Sequence, residues 1–577
     1  MASLTLSHRL LIKTSKSLFG KSELICNKYR YFHHKTIFYP ITSINFQIRD
    51  IHLRTKRYCS TTETQDNLKA DKYEGSLVPT FQHQMYLRKK QARSSVLIEL
   101  KNKTDVLSSI AACEQFGDIK NVYSYNGESE NVLLLLEFTC EESVQKLHSN
   151  CQYENTVDTF PICSRIIRFD KKFDNIVPSK TFEIEKNTSK PVDSKGKTVS
   201  ELIEDIYDCD KLSELDTRLR FFLCAVLKDS LSGLFPHCDA LPFGSSVNGL
   251  GKQGCDLDVM IRLYPTQVIQ NSEFSFLNRT CFGDARNLQV DSIHALHGFF
   301  KTFLPGLHSV SKISRARVPI IKFGHRLIGL DCDISVNNMA AILMSEILYF
   351  CGEIDSRVRP LLYAVKKWAK ESNITHAVPG AYITNFGLSL LVIFFLQNRP
   401  VPILPNLIES ILIVGDESST NFKVEYLMPI SKFQVKASLN TESLAELLEE
   451  FLRFLGLNPF KDRHFSILTG VASPKKSNDP ICMEYPMDEI SNVTKNVSET
   501  ELRNLCEKAR LSCKFLASNK NVKCGSATNL PLLLGVSNIN RLFLKNTNSR
   551  YEAKLDVNEL FNKFQNNNKK RIQHKFR

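Results

Sequence analysis

The 577-residue chain contains no Cys-x-x-Cys pair, although it has 17 cysteines. Neither a zinc site nor a disulfide framework is therefore expected, and the scattered cysteines read as free thiols in a reducing compartment. Long apolar runs are missing as well. The most apolar stretch, Phe386 to Leu396, is too short to cross a bilayer and predicts a buried helix, with no membrane insertion. Acidic residues are almost absent from the first 60 positions, where Glu23 and Asp50 face eleven Lys and Arg. This head therefore holds about +9 of the net +14, leaving about +5 for everything else. It is rich in Ser and Thr with apolar residues interspersed, the composition of a mitochondrial transit peptide over 1–59. Arg57-Tyr58-Cys59 before Ser60 reads as a processing site, which predicts a location in the mitochondrial matrix. A disordered basic arm that touches nucleic acid is the alternative reading of the same charge.

What remains is ordinary for a globular chain, with 42% hydrophobic and 24% charged residues, and the length predicts several domains. From Ser95 to Phe169 the pattern is strand, helix, strand, strand, helix, strand. The strands are Val96–Leu100, Ile119–Tyr125, Val132–Phe138 and Ile166–Phe169, and the helices lie at Asp105–Gln115 and Glu141–Leu147. The order resembles an RNA-recognition-motif fold over 92–172. Base stacking on that fold needs exposed aromatic residues on the central strands. Leu97, Leu133 and Leu135 stand there instead, so the face predicts docking to protein, as in a homodimer formed through this module.

Residues 173–198 are polar and aperiodic and read as a linker. Leu215, Leu219, Phe222, Leu223, Val226 and Leu227 then fall at helical spacing, in a helix that ends near Gly233. Val318–Phe323 and Leu327–Val336 predict a hairpin with Gly324 in the turn. Beyond about residue 345 the chain is mainly helical, including Ser443–Leu455 with Gly456 as its C-terminal cap. The end, 516–577, reads as a polar, basic tail.

The chemistry gathers between Phe243 and Leu263. Gly244-Ser245-Ser246 can offer backbone N–H groups and hydroxyls to phosphate oxygens. Asp256 and Asp258 follow a loop carrying Gly249, Gly251 and Gly254, and they share one face of a strand. Neighbouring carboxylates beside a phosphate site point to Mg²⁺. The loop is a literal Gly-x-Gly-x-x-Gly, but a strand rather than a helix follows it, so no dinucleotide site is expected. A third carboxylate comes from Asp331 or Asp333, which also share a strand face, and spacing alone does not choose between them.

Taken together, Gly244-Ser245, Asp256-x-Asp258, Val318-Pro319-Ile320-Ile321-Lys322 and Cys332-Asp333-Ile334-Ser335-x-Asn337-Asn338 resemble the DNA-polymerase-β-type nucleotidyltransferases. Val365-Lys366-Lys367-Trp368-Ala369-Lys370 and Pro379 to Phe386 narrow the resemblance to the poly(A) polymerase and terminal uridylyltransferase group, and the basic head to its mitochondrial members. The resemblance implies an α+β fold: a palm with a mixed sheet at 199–345, a helical domain at 346–515, and the RNA-recognition-like module in front. It implies that Asp256, Asp258 and Asp333 hold two Mg²⁺, for which Mn²⁺ can substitute, with Asp333 helping to activate the RNA 3′-hydroxyl. Gly244 and Ser245, with Ser246 nearby, would hold the triphosphate of ATP, and Lys366 and Lys370 its β- and γ-phosphates. Asn338, Ser345, Thr384 and Asn385 would line ribose and base. The implied activity is template-independent adenylyl transfer to RNA 3′ ends.

The segment Glu484-Tyr485-Pro486-Met487-Asp488 departs from the Glu-Asp-Pro-Phe of related uridylyltransferases, and Ser491 stands where they carry a His. Loss of that His favours ATP. A terminal uridylyltransferase and a catalytically inactive RNA-binding scaffold remain the alternatives, and the intact Asp256, Asp258 and Asp333 speak against the second.

Overall fold

Helix α1 (Phe81–Arg93) leads into a module made of β1 (Ser95–Leu100), α2 (Val106–Glu114), β2 (Ile119–Asn126), β3 (Val132–Phe138), α3 (Glu141–Ser149) and β4 (Ile166–Phe169). The computed structural model describes residues 80–518 except 101–105, 128–130, 154–158, 161, 170–177, 179–184, 187–195, 236, 264–272, 274–284, 377, 379, 416–421, 428–429 and 458–459. The expected transit peptide, most of the linker and the tail beyond residue 518 lie outside the described residues. The module's strand order is β4-β1-β3-β2-β5, where β5 is Glu185–Lys186. A strictly alternating path would return β4 antiparallel to β1. Instead β4 pairs parallel, Leu97 beside Ile166 and Leu100 beside Phe169.

Every residue of β3 is buried, so hydrophobic alternation is lost there. Two cores explain it. Val96, Ile98, Leu134 and Leu136 pack with Val144 and Leu147 of α3 on one face. On the other, Leu97, Tyr123, Leu133 and Leu135 pack with Leu215, Leu219, Phe222 and Leu223 of the helix that follows. The leucine face expected to be open for a homodimer is thus covered by the chain's own palm. Tyr123 and Tyr125 also lie on it. Arg218 sits 4.9 Å over the Tyr123 ring, and the Tyr125 hydroxyl donates to Leu327 O at 3.0 Å, so neither ring is open to a base.

The palm begins with α4 (Val199–Asp210) and α5 (Glu214–Ser232), both started by capping boxes, Thr198 with Glu201 and Ser213 with Asp216. Strands β6 (Asp239–Phe243), β7 (Leu257–Arg262), β8 (Leu307–Ile313), β9 (Ile320–His325) and β10 (Leu330–Val336), with α6 (Ala285–Phe303), complete it. The sheet order is β6-β7-β10-β9-β8, with β7 and β10 parallel and the other neighbours antiparallel. The expected β9–β10 hairpin forms, but Gly324 lies within β9 opposite Asp331, and the turn is Arg326–Gly329 with Gly329 at φ +69°.

Helices α7 (Met339–Ile354), α8 (Val358–Glu371), α9 (Asn385–Gln397), α10 (Ile430–Ala437), α11 (Leu444–Leu457) and α12 (Glu499–Ser518) form the second large core, with a short strand pair β11 (Ile411–Gly415) and β12 (Phe422–Tyr426). A four-stranded sheet, β14-β13-β15-β16, accompanies them, with β13 at Arg463–Phe465, β14 at Ala472–Pro474, β15 at Cys482–Tyr485 and β16 at Asp488–Asn492. Helix α9 is the apolar run 386–396, apolar on all sides and buried from Gly387 to Gln397. Trp368 on α8 is fully buried, and its indole N–H donates to Ser512 Oγ at 2.9 Å. Gly456 is not a C-cap: it lies inside α11, where a Cβ would come 2.7 Å from Arg510 Cγ of α12. Among the described residues no helix is long and apolar enough to cross a membrane, and the described cysteines are all free thiols.

Candidate active site

At the end of β6 the chain turns sharply at Gly244, with φ +66°. A side chain there would be strained, and its Cβ would stand 3.0 Å from Asp258 Oδ2. The turn is held from beneath. Gly244 N donates to Ser345 Oγ at 2.7 Å, and that hydroxyl donates to Ala341 O at 2.7 Å within α7. Ser345 is only 2% exposed and anchors the turn from beneath. Ser246 also points inward, 5% exposed and accepting from Arg220 Nε at 3.3 Å. Ser245 stays half-buried, its Oγ 3.6 Å from Cys255 Sγ.

Sheet register assembles the charges. Asp258 on β7 stands beside Asp333 on β10, and Asp333 beside Lys322 on β9. Asp256 is exposed just before β7. Asp331 lies opposite Gly324, past the end of the β7–β10 pairing, so register selects Asp333 as the neighbour of Asp258. Burial pushes the Asp258 carboxyl up to about 7, the negative charges of Asp333 and Asp256 push the same way, and Lys322 opposes them. Lys322 Nζ lies 2.7 and 2.5 Å from the two Asp333 oxygens. Sequence reasoning gave Lys322 no role, although it shares the period-two alternation that puts the aspartates on one face.

Among the described residues no three His, Cys, Asp or Glu side chains converge at ligand spacing. Asp333 is engaged by Lys322 instead. The donors nonetheless fit a hard divalent cation: they are all oxygens, and they repel one another, which helps to raise Asp258 and is what a cation would relieve.

Helix α8 brings lysines close to the glycine loop. Lys366 is half-buried, and burial lowers its ammonium to about 8. It lies close enough for Cys255, next to Asp256, to oppose that shift. Lys370 is exposed one turn on. Lys367 is instead fixed to Asp210 at 3.0 Å, which also accepts from the Tyr363 hydroxyl at 2.9 Å. Lys252 of the glycine loop, lowered by burial and then by Lys370, joins this cationic group unforeseen.

The expected ribose and base residues are more dispersed. Thr384 caps α9, its hydroxyl accepting from Gly387 N at 3.1 Å, and Asn385 is exposed at the same helix start. Asn338 precedes α7 without a side-chain capping bond. Ser491 on β16 accepts from Arg317 Nη2 of the palm at 3.0 Å.

A family model described as the central palm domain of mitochondrial-like poly(A) RNA polymerase matches residues 199–353, and an RL domain model matches 80–152. The chain is 31% identical over 461 residues to the mitochondrial poly(A) RNA polymerase of Homo sapiens, covering 77% of this chain and 78% of the relative. A crystal structure of mtPAP in complex with UTP superposes with a TM-score of 0.69 at 27% identity, covering 79% of this chain and 99% of that one. The mtPAP complex with ATPγS gives 0.68 at 26% identity, with 79% and 99% covered.

Proposed function

Because the chain belongs to the mitochondrial poly(A) RNA polymerase family of nucleotidyltransferases, we propose that it adds adenylate from ATP, without a template, to the 3′ ends of mitochondrial RNAs in the matrix. The observation that carries this reading is the row of Asp258, Asp333 and Lys322 set against the Gly244 turn. Asp256, Asp258 and Asp333 are assigned to hold Mg²⁺, with Mn²⁺ able to replace it. When bound, the metal pair supplies Lewis acidity at the RNA 3′-hydroxyl and neutralises charge on the leaving pyrophosphate.

The chain's own residues do the rest. The Gly244–Ser245 turn receives the triphosphate, and Lys366 and Lys370 take its β- and γ-phosphates. Lys322 keeps the Asp333 carboxylate oriented, and Asp333 helps to draw the proton from the 3′-hydroxyl. A 3′-O–Pα bond forms as the bond from Pα to pyrophosphate breaks, and the proton leaves to solvent. Positioning and fixed charge supply most of the acceleration. Adenine choice must come from pocket contacts, since no template reads the base. Ser491 in place of a His supports ATP. The relative mtPAP was crystallised with both UTP and ATPγS, so nucleotide entry alone does not set that choice. The head's composition supports import into mitochondria. A homodimer formed through the module would have to use a surface other than its leucine face, and a monomer by light scattering at micromolar concentration removes that idea.

The test is extension of an oligoribonucleotide by the full chain with Mg²⁺ and each nucleoside triphosphate separately. Extension with ATP alone is expected. Extension with UTP alone makes the protein a uridylyltransferase, and no extension with any triphosphate leaves a scaffold.

A further inference from the structure

Arg220 on α5 is fully buried, at 0% exposure, and none of its hydrogen bonds goes to a carboxylate. Its Nε donates to Ser246 Oγ at 3.3 Å, Nη1 to Asp216 O at 3.2 Å, and Nη2 to Cys255 O at 2.7 Å and Cys255 Sγ at 3.3 Å. A buried guanidinium bonded only to neutral groups is costly, and proteins usually pair such charges. Two residues earlier on the same helix, Arg218 shows the usual solution, paired with Glu137 at 2.6 Å and Glu214 at 2.7 Å.

The acceptors of Arg220 are informative. Ser246 closes the Gly244 turn, and Cys255 immediately precedes Asp256. The guanidinium therefore bridges Ser246, just before the glycine loop, and Cys255, at its end. Its charge also bears on Cys332, the neighbour of Asp333. The negative charge missing from its own contacts is what a triphosphate would bring to the other side of that loop.

We propose that Arg220 is a positioning residue for nucleotidyl transfer, fixing the distance between the triphosphate turn and the strand of Asp256 and Asp258 and placing a permanent positive charge behind the phosphates. The proposal rests on the reading of that turn and those aspartates given above.

The experiment compares the full chain with Arg220→Met and Arg220→Lys. It measures thermal melting, ATPγS affinity without RNA, Mg²⁺ dependence, and kcat and KM for ATP. Arg220→Met is expected to melt cooperatively, to lose kcat by about 30-fold and to need about tenfold more Mg²⁺ for half-saturation, because a preorganised charge and spacing are lost together. Arg220→Met should also bind ATPγS more weakly, whereas Arg220→Lys, which restores charge but not the fork, should keep the parent ATPγS affinity and recover only part of kcat. A purely structural role predicts activity lost in proportion to unfolded protein, with unchanged Mg²⁺ dependence and ATPγS affinity, and that result overturns the proposal. Should Arg220→Met fail to fold, Arg220→Lys decides alone: parent values for kcat and Mg²⁺ dependence overturn it. A parent chain that extends no RNA with any nucleotide defeats the proposed function, which is a separate outcome read from a separate sample.

Discussion

The contact between the module and the palm and the cleft around Gly244 both bury charge, and they treat it in opposite ways. At the contact, opposite charges are paired. Arg218 and Glu137 are 9% and 4% exposed and lie 2.6 Å apart, Arg165 meets Asp229 at 2.5 Å, and Lys89 meets Asp239 at 2.7 Å. Around Gly244, like charges gather: Asp258 is raised by burial and by Asp333 and Asp256, only Asp333 being paired, with Lys322, while Lys366 and Lys252 are lowered by burial and Arg220 bonds only to neutral groups. Matched charge holds two parts of a fold together, whereas charge left unbalanced at a cleft marks where a ligand of opposite sign belongs.

Removing charge on each side should separate those two uses. The largest effect on chemistry is expected for Asp258→Ala, which should cost at least about 10³-fold in RNA extension because the carboxylate acts only in the reacting complex. Extension at the parent rate would break the assignment of this cleft. Arg218→Met should act on stability instead. It removes the nearest cation from buried Glu137, which keeps only Asn121 at 2.6 Å and Lys120 at 3.6 Å, and should cost about 3 kcal/mol in urea unfolding, while folded protein keeps kcat within about twofold of the parent. A large kcat defect with unchanged stability would erase the contrast between contact and cleft.

Lys366→Met should raise KM for ATP about tenfold, since one charge-assisted phosphate contact is lost. The parent lysine, lowered to about 8, is partly neutral at pH 8.5, and a bound triphosphate favours its charged form. ATP binding at pH 8.5 should therefore take up protons, read by calorimetry in two buffers of different ionisation enthalpy, and Lys366→Met should lose that uptake. The smallest effect is expected for Asp258→Asn on melting. A folded-state pKa of about 7, above the unfolded value, means that stability falls as pH rises from about 4 to 7 and stays lower above that. Asn removes the penalty, so Tm should rise by about 2 °C at pH 8 and not change at pH 4. A lower Tm at pH 8 would mean that Asp258 is already balanced in the fold.

Much of this was readable along the chain. The module's strands, the capped helix α5 and the buried helix α9 each follow from local patterns: runs of β-branched and aliphatic residues, Ser213 with Asp216, and an unbroken apolar run. Asp256 and Asp258 were legible because two residues on one strand share a face by backbone geometry alone. The readings that failed depended on neighbours distant in sequence. Gly456 looks like a cap by position, but Arg510 of α12 makes it a packing glycine. The leucine face looked open because sequence shows that a face is apolar but not what covers it. Ser345 and Ser246 are a different case: a motif gives residue types, while the direction of each hydroxyl depends on Ala341, Gly244 and Arg220.

The sequence by itself determined which segments become strands and helices, where the carboxylates share a strand and where the glycine turn falls, because these depend on side-chain period and local backbone freedom. Only the tertiary structure decided that Asp333 rather than Asp331 stands beside Asp258, that Lys322 reaches Asp333, that the palm covers the module's sheet, and that Arg220 closes the base of the loop. Those are matters of register and packing between segments tens of residues apart, and a single pairing shift of one residue would have reversed every face involved.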